Sequence, residues 1–294
     1  MIAEKKYNYQ NFMIFFTFLL LWVSIQFGKV VEDFLAYVMV ITLGILHGAN
    51  DLLILSIKDK NENKLIKNLI IYLGIIILCV LIYLFSPYIA ILFFVLLSSY
   101  HFGEEYFGHK INVNLLFNSL YFLGYGMFIF SLIFHQSIAE VDIIMKELTG
   151  LTFTVVQVEI TLLISGVVLF TGSLYLILTK RNEIKMFFEE TFYLMLLFLV
   201  FKTSSLILGF AIYFIFWHSI PSMIHQIEFI SGSLSKNNFL LYVKKALIYW
   251  VISIVGLLLL YQLVPQIELF ATVVFVILFA VTAPHTWVMH KMKN

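Results

Sequence analysis

Long apolar stretches recur along the whole 294-residue sequence and limit what the chain can fold into. A helix needs ~20 mostly apolar residues to cross the hydrocarbon core of a bilayer. Ten stretches approach this length, at about 11–27, 34–57, 66–86, 88–107, 112–135, 151–179, 186–201, 205–231, 239–262 and 267–289. Because a helix satisfies its own backbone hydrogen bonds in lipid, we predict an all-α polytopic membrane bundle of about ten transmembrane helices. Residues 1–294 are expected to form a single integral-membrane domain.

Charge is scarce along the sequence. The chain is 62% hydrophobic and 12% charged, with a mean hydropathy of +1.00. This is too little charge to cover the surface of a soluble domain of the same length. The net charge of +1 gives no indication of nucleic-acid binding. The single cysteine, Cys79, provides neither a disulfide framework nor a thiolate metal site.

The basic residues predict an orientation, because cytoplasmic loops carry an excess of Lys and Arg. With the N terminus inside, the inner segments hold all basic residues except Lys29, Lys146 and Lys202. We therefore predict cytoplasmic N and C termini and a multi-pass protein of the cell inner membrane. The first stretch, Phe12–Phe27, has no small-residue cleavage pattern after it and is interpreted as a spanning helix. A cleaved signal peptide is the alternative.

The longest predicted outer loop, about 136–150, has helical periodicity. Its apolar set is Val141, Ile144, Met145 and Leu148, and its opposite face carries Glu140, Asp142 and Glu147. This pattern favours a short amphipathic helix lying along the membrane surface. An ordinary polar loop is the alternative.

Four of the apolar stretches each carry a histidine at a similar depth. His47, His101 and His218 each lie 13 residues after the start of their stretch, and His285 lies 18 residues into the last one. Ionisable residues in spanning helices indicate a functional site by default, and neutral imidazoles on facing helices are common metal ligands. The matched depth therefore predicts one shared metal ion. For any single histidine, the alternative is a hydrogen bond to a neighbouring helix.

The segment FIFWHSIPSMIHQIEFI, residues 214–230, contains a second histidine, His225, seven residues after His218. The two imidazoles would share a helix face but lie ~10 Å apart along an ideal helix. Pro221 between them can bend the helix, which would help both side chains to reach one metal. The remaining histidines, His109, His135 and His290, are interpreted as uninvolved.

Polar residues follow three of these histidines at a spacing of four, namely Asp51, Glu105 and Ser222. A carboxylate one helical turn beyond a histidine can accept the second imidazole N–H and fix the tautomer of a metal ligand. We therefore predict that these three residues contact the ligand histidines and orient them without binding the metal themselves. The alternative for Asp51 is a side chain that extends to the inner surface, and the alternative for Glu104 and Glu105 is solvation at the inner interface.

Aromatic residues lie next to the proposed ligands in the sequence: Tyr100, Phe102, Phe216, Trp217 and Trp287. A cavity lined with rings around a metal would suit a long apolar or polyene substrate taken from the bilayer. These five residues are therefore predicted to bind substrate. The alternative is that they pack in the core or form interfacial belts.

The motifs of several enzyme classes are missing from the sequence. It has no HExxH zinc motif, no HxxHH boxes, no CxxCH, no glycine-rich phosphate loop, and no nicotinamide or flavin motif. All-histidine ligation suits iron, among other metals. These features favour a mononuclear iron dioxygenase that acts on an electron-rich double bond without an external reductant. A b-type haem protein and a proton-coupled membrane transporter of a small substrate are the alternatives.

Four motifs in order resemble the Brp/Blh family of bacterial β-carotene 15,15′-dioxygenases. They are HGANDLLIL (47–55), SYHFGEEYF (99–107), FWHSIPSMIH (216–225) and APHTWVM (283–289). The resemblance implies Fe(2+)-dependent cleavage of β-carotene by O₂ at the central double bond, giving two molecules of all-trans-retinal. It also implies a functional link to a retinal-binding rhodopsin.

The same resemblance implies that His47, His101 and His218 are iron ligands. The fourth ligand of the family usually follows the third by four residues on the same helix. Ser222 occupies that position here. His225 is the expected substitute, and His285 is its rival.

Overall fold

This computed structural model describes residues 2–59, 62–179, 184–263 and 270–293. Within these ranges the chain contains helices and no β-strand, which confirms the predicted all-α class. The α-helices are α1 Ile2–Phe27, α2 Lys29–Met39, α3 Ile45–Gly48, α4 Asp51–Lys58, α5 Glu62–Phe85, α6 Pro87–Phe107, α7 Leu115–Gln136, α8 Ile138–Thr149, α9 Val155–Thr179, α10 Ile184–Thr203, α11 Leu206–Ile212, α12 Ile220–Ser231, α13 Lys236–Leu263 and α14 Phe270–Lys293. Two further segments, Val40–Gly44 and Tyr213–Ser219, are π-helical turns.

Eight helical segments among the described residues are long and apolar enough to cross a membrane. They are Tyr9–Phe27, Lys29–Lys58, Asn63–Phe85, Pro87–Phe107, Leu115–Gln136, Val155–Thr179, Leu206–Ser231 and Lys236–Leu259. The polytopic bundle is thus confirmed, but the expected count of about ten is not. The stretch 186–201 lies in α10, whose glutamates and lysines lower its hydropathy. Part of the stretch 267–289 lies outside the described residues. The orientation of the termini stays a prediction.

The span Leu206–Ser231 forms the centre of the bundle. About three quarters of it, 72%, is buried inside the protein, whereas only 11% of Asn63–Phe85 and 17% of Val155–Thr179 are buried. Since apolar side chains on the outer helices face lipid, their exposure is expected. The central span, which contains His218, is therefore surrounded by helices whose side chains mainly face lipid.

The two π-helical turns lie in the segments that carry His47 and His218. A π-turn holds one extra residue, and such turns are frequent at functional sites. Val40–Gly44 immediately precedes α3, which carries His47, and Tyr213–Ser219 contains His218 itself. Pro221 lies two residues beyond this second turn, as the second residue of α12. The irregularity expected at the proline therefore takes the form of a π-turn.

Helices α6 and α7 cross with their backbones in contact. A Cβ atom at Gly103 would overlap the backbone of Phe122, and one at Gly126 would overlap that of Ser99. Small residues at such positions allow membrane helices to approach closely. This contact fixes α6 against α7 and thereby places His101, two residues before Gly103.

The amphipathic helix predicted at 136–150 forms as α8. Its residues Val141, Met145 and Leu148 are buried, while Ile143 is 56% exposed. The apolar face of α8 therefore packs onto the bundle instead of resting on lipid. Glu140 attaches the helix to its neighbours, because its carboxylate pairs with Lys29 (2.8 Å) and accepts the backbone N–H of Leu206 (3.1 Å).

Candidate metal centre

The imidazole rings of His47, His101, His218 and His285 lie next to one another in the centre of the bundle; we call them the histidine group. Their ring centroids are separated by 5.5 Å (His47–His218), 4.8 Å (His218–His101), 5.3 Å (His101–His285) and 4.6 Å (His285–His47). A metal–nitrogen bond of ~2.1 Å puts the centroids of neighbouring ligand rings roughly 4.5–5.2 Å apart. The four rings thus have the spacing of ligands around one ion.

Several nitrogens of the histidine group have no hydrogen-bond partner although all four residues are buried. These atoms are Nε2 of His47, both ring nitrogens of His101, Nδ1 of His218 and Nε2 of His285. A buried polar atom without a partner is costly, and a bound cation is one of the groups that could satisfy several such atoms at one point. The donor set therefore fits a metal cation. The described residues contain no group of three or more His, Cys, Asp or Glu side chains already arranged to hold one.

In two of the histidines, a hydrogen bond at Nδ1 fixes the tautomer. His47 donates its Nδ1–H to the carbonyl of Gly44, at the end of the π-turn (2.6 Å). His285 donates its Nδ1–H to Oδ1 of Asp51 (2.8 Å). In both cases the acceptor has no proton to give, so the lone pair of Nε2 faces the centre of the group. This is the usual arrangement of a metal-binding histidine and its outer partner.

Asp51 was expected to orient His47, and that expectation was wrong. Ala49 and Asn50 interrupt the helix between α3 and α4, so Asp51 does not continue the turn that carries His47. The carboxylate instead reaches α14 and accepts hydrogen bonds from His285 and from the hydroxyl of Tyr72 (3.2 Å). Asp51 is 1% exposed, so it does not extend to the membrane surface.

Glu105 was expected to orient His101, but it pairs with His225 instead. Nδ1–H of His225 donates to Oε1 of Glu105 (2.7 Å), and Nζ of Lys293 lies 3.1 Å from Oε2. The ring of His225 packs against that of His109, with centroids 4.7 Å apart. We call these four residues the Glu105 cluster. His225 therefore lies away from the histidine group, and His285 is the histidine that completes it.

Glu104 and Glu105 are both buried, at 7% and 3% exposure, and neither is solvated. Glu104 receives the hydroxyl of Tyr100 (3.4 Å) and lies 3.4 Å from Nδ1 of His290. Lys293 also donates to its backbone carbonyl (3.3 Å). The C-terminal turn of α14 is thus anchored to the end of α6.

Ser222 acts on the histidine group indirectly. Its Oγ accepts a hydrogen bond from Nε2 of Gln226 (3.2 Å), and the same amide donates to the backbone carbonyl of His47 (3.0 Å). The hydroxyl of Tyr242 donates to Oε1 of Gln226 (2.8 Å). All three side chains are at most 1% exposed. They fix the backbone of α3 behind His47, and nothing in the sequence spacing had indicated Gln226 or Tyr242.

Among the five aromatic residues predicted to bind substrate, Phe102 is the one beside the histidines, with its ring 4.5 Å from that of His218. Phe216 stacks on Phe16 of α1 (5.5 Å), and Trp217 donates its indole N–H to Thr17 (3.1 Å). The other two point away as well: Tyr100 bonds to Glu104, and Trp287 lies 5.0 Å from the ammonium of Lys291.

The side chains that do surround the histidines come from helical spacing and not from sequence adjacency. Phe210 and Phe214 precede His218 by eight and four residues, and Phe94 and Ser98 precede Phe102 at the same intervals. Residues four apart share one helix face, whereas neighbours in sequence do not. This periodicity is the signal that could have identified Phe94, Phe210 and Phe214.

Two adjoining cavities lie at the site. A chamber of about 40 Å³ is bounded by the histidine group together with Phe94, Phe102, Phe210 and Phe214. A mainly apolar cavity of about 460 Å³ lies between α6, α7, α8, α9 and α11. The larger cavity falls within the ~300–1,000 Å³ that is usual for ligand sites. An apolar ligand in it would approach the unpartnered imidazole nitrogens.

The sequence was compared with known proteins. A family model described as beta-carotene 15,15′-dioxygenase matches residues 38–293. The chain belongs to the β-carotene 15,15′-dioxygenase family. Neither curated proteins nor solved structures give a match. The resemblance inferred from the four motifs is thus confirmed at the level of the family, and membership supports carotenoid-cleaving dioxygenase activity in general.

The matched range of this β-carotene 15,15′-dioxygenase family member contains the whole histidine group, the chamber and every residue that lines the larger cavity except Tyr37. Helix α1 lies before the matched range, where Thr17 and Phe16 contact the span that carries His218. The family assignment therefore covers every residue that surrounds the chamber.

Proposed function

We propose that the protein is a non-haem iron oxygenase of the membrane that cleaves β-carotene with O₂ at the 15,15′ double bond and releases two molecules of all-trans-retinal. Family membership supports the reaction. The observation that carries the proposal is the set of unpartnered nitrogens on four adjacent imidazoles, which face a chamber next to a large apolar cavity.

The histidine group would hold Fe(2+), with His285 as the fourth ligand. His285 is favoured over His225 because its ring adjoins both His47 and His101, and Asp51 fixes its tautomer. The Gly44 carbonyl does the same for His47. When bound, the iron would supply a coordination position for O₂ and the redox chemistry of oxygen transfer. Imidazoles alone suit a hard or borderline cation, since the described residues offer no thiolate near it.

The apolar residues around the chamber would position the substrate and exclude water. Phe214 stacks on His218 with centroids 5.8 Å apart, and Phe102 lies next to both rings, 4.5 Å from that of His218 and 6.2 Å from that of Phe214. A flat conjugated chain that lies along these rings would place a double bond beside the histidine group. The chamber of about 40 Å³ has room for a molecule of the size of O₂. No protein nucleophile is required, and none is assigned.

A b-type haem is disfavoured by the size of the chamber. A porphyrin needs a wide slot between two axial histidines, whereas the four rings here lie 4.6–5.5 Å from their neighbours. A proton-coupled transporter would use the same buried ionisable groups. It would produce no retinal, so the experiment below distinguishes it.

Expression in cells that accumulate β-carotene tests the function. Retinal, measured by chromatography, should appear with the wild-type chain, and both molecules should carry label when ¹⁸O₂ is supplied. Iron analysis of the purified protein should give about one iron per chain, and zinc-substituted protein should be inactive. Well-expressed, iron-loaded protein that leaves β-carotene intact would exclude the proposal.

We also place the protein in the inner membrane with both termini in the cytoplasm, on the basis of the distribution of lysine and arginine. Both β-carotene and its product are apolar, so the surrounding lipid would deliver one and receive the other. A retinal-binding rhodopsin in the same membrane is the partner that would consume the product. Co-expression with such an opsin should yield its coloured form only when the enzyme is active.

A further inference from the structure

The cavity of about 460 Å³ adjoins the chamber that contains the histidines. Phe94, Phe210 and Leu278 line both spaces, so these three side chains lie between them. On α6 the larger cavity extends from Val95 to Tyr88. At ~1.5 Å per residue, this interval lies roughly 9–20 Å from the level of His101 along the helix. The cavity is therefore an arm that leads away from the site on one side.

The arm opens to lipid between α6 and α9. Tyr88, Leu92 and Ile160 line it and are 45%, 48% and 53% exposed. These residues belong to faces of α6 and α9 that would contact acyl chains, so the opening lies within the bilayer and not in water. An apolar ligand could thus move from lipid into the arm without crossing an aqueous phase.

The far end of the arm is closed by α8. Val141, Ile144, Met145 and Leu148 line it from this helix. The helix is attached at its first turn, where Glu140 bonds to Lys29 and to the N–H of Leu206. The walls are mostly aliphatic and aromatic. One of the few polar residues in them, Thr161, uses its hydroxyl to bond to the carbonyl of Gln157 within its own helix (2.8 Å).

We propose that this arm binds one half of the carotenoid, with the end ring below α8, and that α8 is the stop that sets which double bond lies beside the histidine group. This inference rests on the proposed function. A rigid polyene whose ring contacts a fixed roof can slide no further, so the depth of the arm determines the bond that is presented. The ligand class is an apolar cyclic end group with its conjugated chain, taken laterally from the bilayer.

Two neighbouring isoleucines of α8 provide the test. Ile144 lines the arm, whereas Ile143 is 56% exposed and does not. Ile144→Trp would shorten the arm, and Ile143→Trp is the matched control on the outer face of the same helix. Each variant is assayed as the full chain in detergent or in cells, with β-carotene and with an apocarotenal that lacks one end ring.

We expect Ile144→Trp to lower retinal formation from β-carotene at least tenfold, or to give two aldehydes of unequal length, while the apocarotenal is cleaved within about threefold of the wild-type rate. The trimmed end would still fit below the new side chain. Ile143→Trp should behave as the wild type with both substrates. An equal loss for the two substrates, or unchanged central cleavage, would overturn the inference.

The amount of β-carotene that co-purifies with iron-free protein provides a second measurement, because it needs no turnover. Ile144→Trp should retain at least fivefold less carotenoid than Ile143→Trp. Equal retention would refute the arm as a binding site even if the wild type produces no retinal. If the wild type produces no retinal but the two variants differ in retention, the cleavage proposal fails and the binding site stands.

A second pair of variants repeats the comparison if Ile144→Trp does not fold. Ile160→Trp narrows the opening of the arm, and Ile164→Trp is its control.

Discussion

The histidine group and the Glu105 cluster are built from similar residues but differ in how these residues are paired. Each contains histidines and has a buried carboxylate nearby, but His225 is 34% exposed and His109 lies in the exposed turn after α6. In the Glu105 cluster, the carboxylate is shared between His225 and Lys293. In the histidine group, five ring nitrogens have no partner. Oε2 of Glu105 also has no hydrogen bond, but it has an ion-pair contact with Nζ of Lys293 (3.1 Å), whereas the five imidazole nitrogens have no partner of either kind. The histidine group is therefore the region that we propose accepts a cation.

The carboxylates of Asp51 and Glu105 also differ between the two regions in the groups that they contact. Asp51 accepts hydrogen bonds from His285 and a tyrosine, with no lysine or arginine of the described residues paired to it, and Nε2 of His285 has no partner. Glu105 lies 3.1 Å from an ammonium group, which offsets its charge locally. Charge balance and the number of hydrogen-bond partners therefore distinguish the proposed ligands from the other buried histidines better than depth in the membrane does.

The largest contrast is expected from removing one histidine from each region. His101→Ala should reduce retinal formation by at least ~100-fold and lower bound iron, since even outer partners of metal ligands are worth ~10–100-fold. His225→Ala, the matched change in the Glu105 cluster, should keep both its iron and its activity within about threefold. Iron content and retinal yield are measured on the same preparations. Loss of iron in His225→Ala would show that the two regions are not separate.

Changing the two carboxylates sharpens the comparison. Asp51→Asn should weaken iron binding ~10-fold or more, because His285 loses a charged acceptor that strengthens it as a ligand. Glu105→Gln should leave the affinity unchanged. Competition with a chelator measures both variants. If the two variants lose iron equally, the distinction drawn from their hydrogen bonds is wrong.

Gln226 lies next to His225 on α12 but faces the other region. Gln226→Leu should lower the free energy of unfolding by ~1–3 kcal/mol, because the His47 carbonyl and the Tyr242 hydroxyl lose a buried partner. Gln262→Leu is the control and should have little effect, because the side chain of Gln262 is exposed. Thermal unfolding in detergent compares them. A stable Gln226→Leu protein with normal iron binding would remove this network from the description of the site.

The smallest effect is expected from pH. Burial lowers the pKa of His109 below its ordinary value of 6.5, and the charges of His225 and Lys293 lower it further. Glu105 acts in the opposite direction but does not cancel these effects. The unfolded chain therefore binds this proton more readily, so stability should fall as the pH drops below about 6.5. The melting temperature should decline from pH 7.5 to pH 5.5, and His109→Gln should decline less. Identical pH slopes would contradict the assignment.

The fold class could be predicted because it depends on hydropathy alone, which local sequence records directly. The number of spans was less certain, since α10 combines apolar residues with Glu189, Glu190 and Lys202 and its placement depends on partners. Lys110, from the loop after α6, pairs with Glu190 at 3.0 Å, a contact 80 positions apart in sequence. Such long-range pairing is invisible to a hydropathy window.

The members of the histidine group could be identified from their depth, but their partners could not. The spacing of four between His47 and Asp51 predicts a contact only on a continuous helix, and Ala49–Asn50 interrupts it. The prediction that the aromatic neighbours of the histidines surround the site was mostly wrong for a similar geometric reason. A residue next to a histidine in sequence is rotated by ~100° around the helix axis and therefore faces another direction. Gln226 and Tyr242 become relevant only through packing between α12, α13 and α3.

The π-turn at Tyr213–Ser219 has a consequence for recognising relatives of this enzyme. It contains one residue more than the α-helical turns around it, so deletion of a single residue there would leave a span of nearly the same length and hydropathy. The loss would restore an α-helical turn, so α12 would keep its register and Gln226 its contact with the carbonyl of His47, whereas the side chains within the turn, among them Phe214 and His218, would be redirected. A composition-based comparison would register almost no change. The number of residues between Ile212 and Ile220 is therefore a marker of this site that composition does not record.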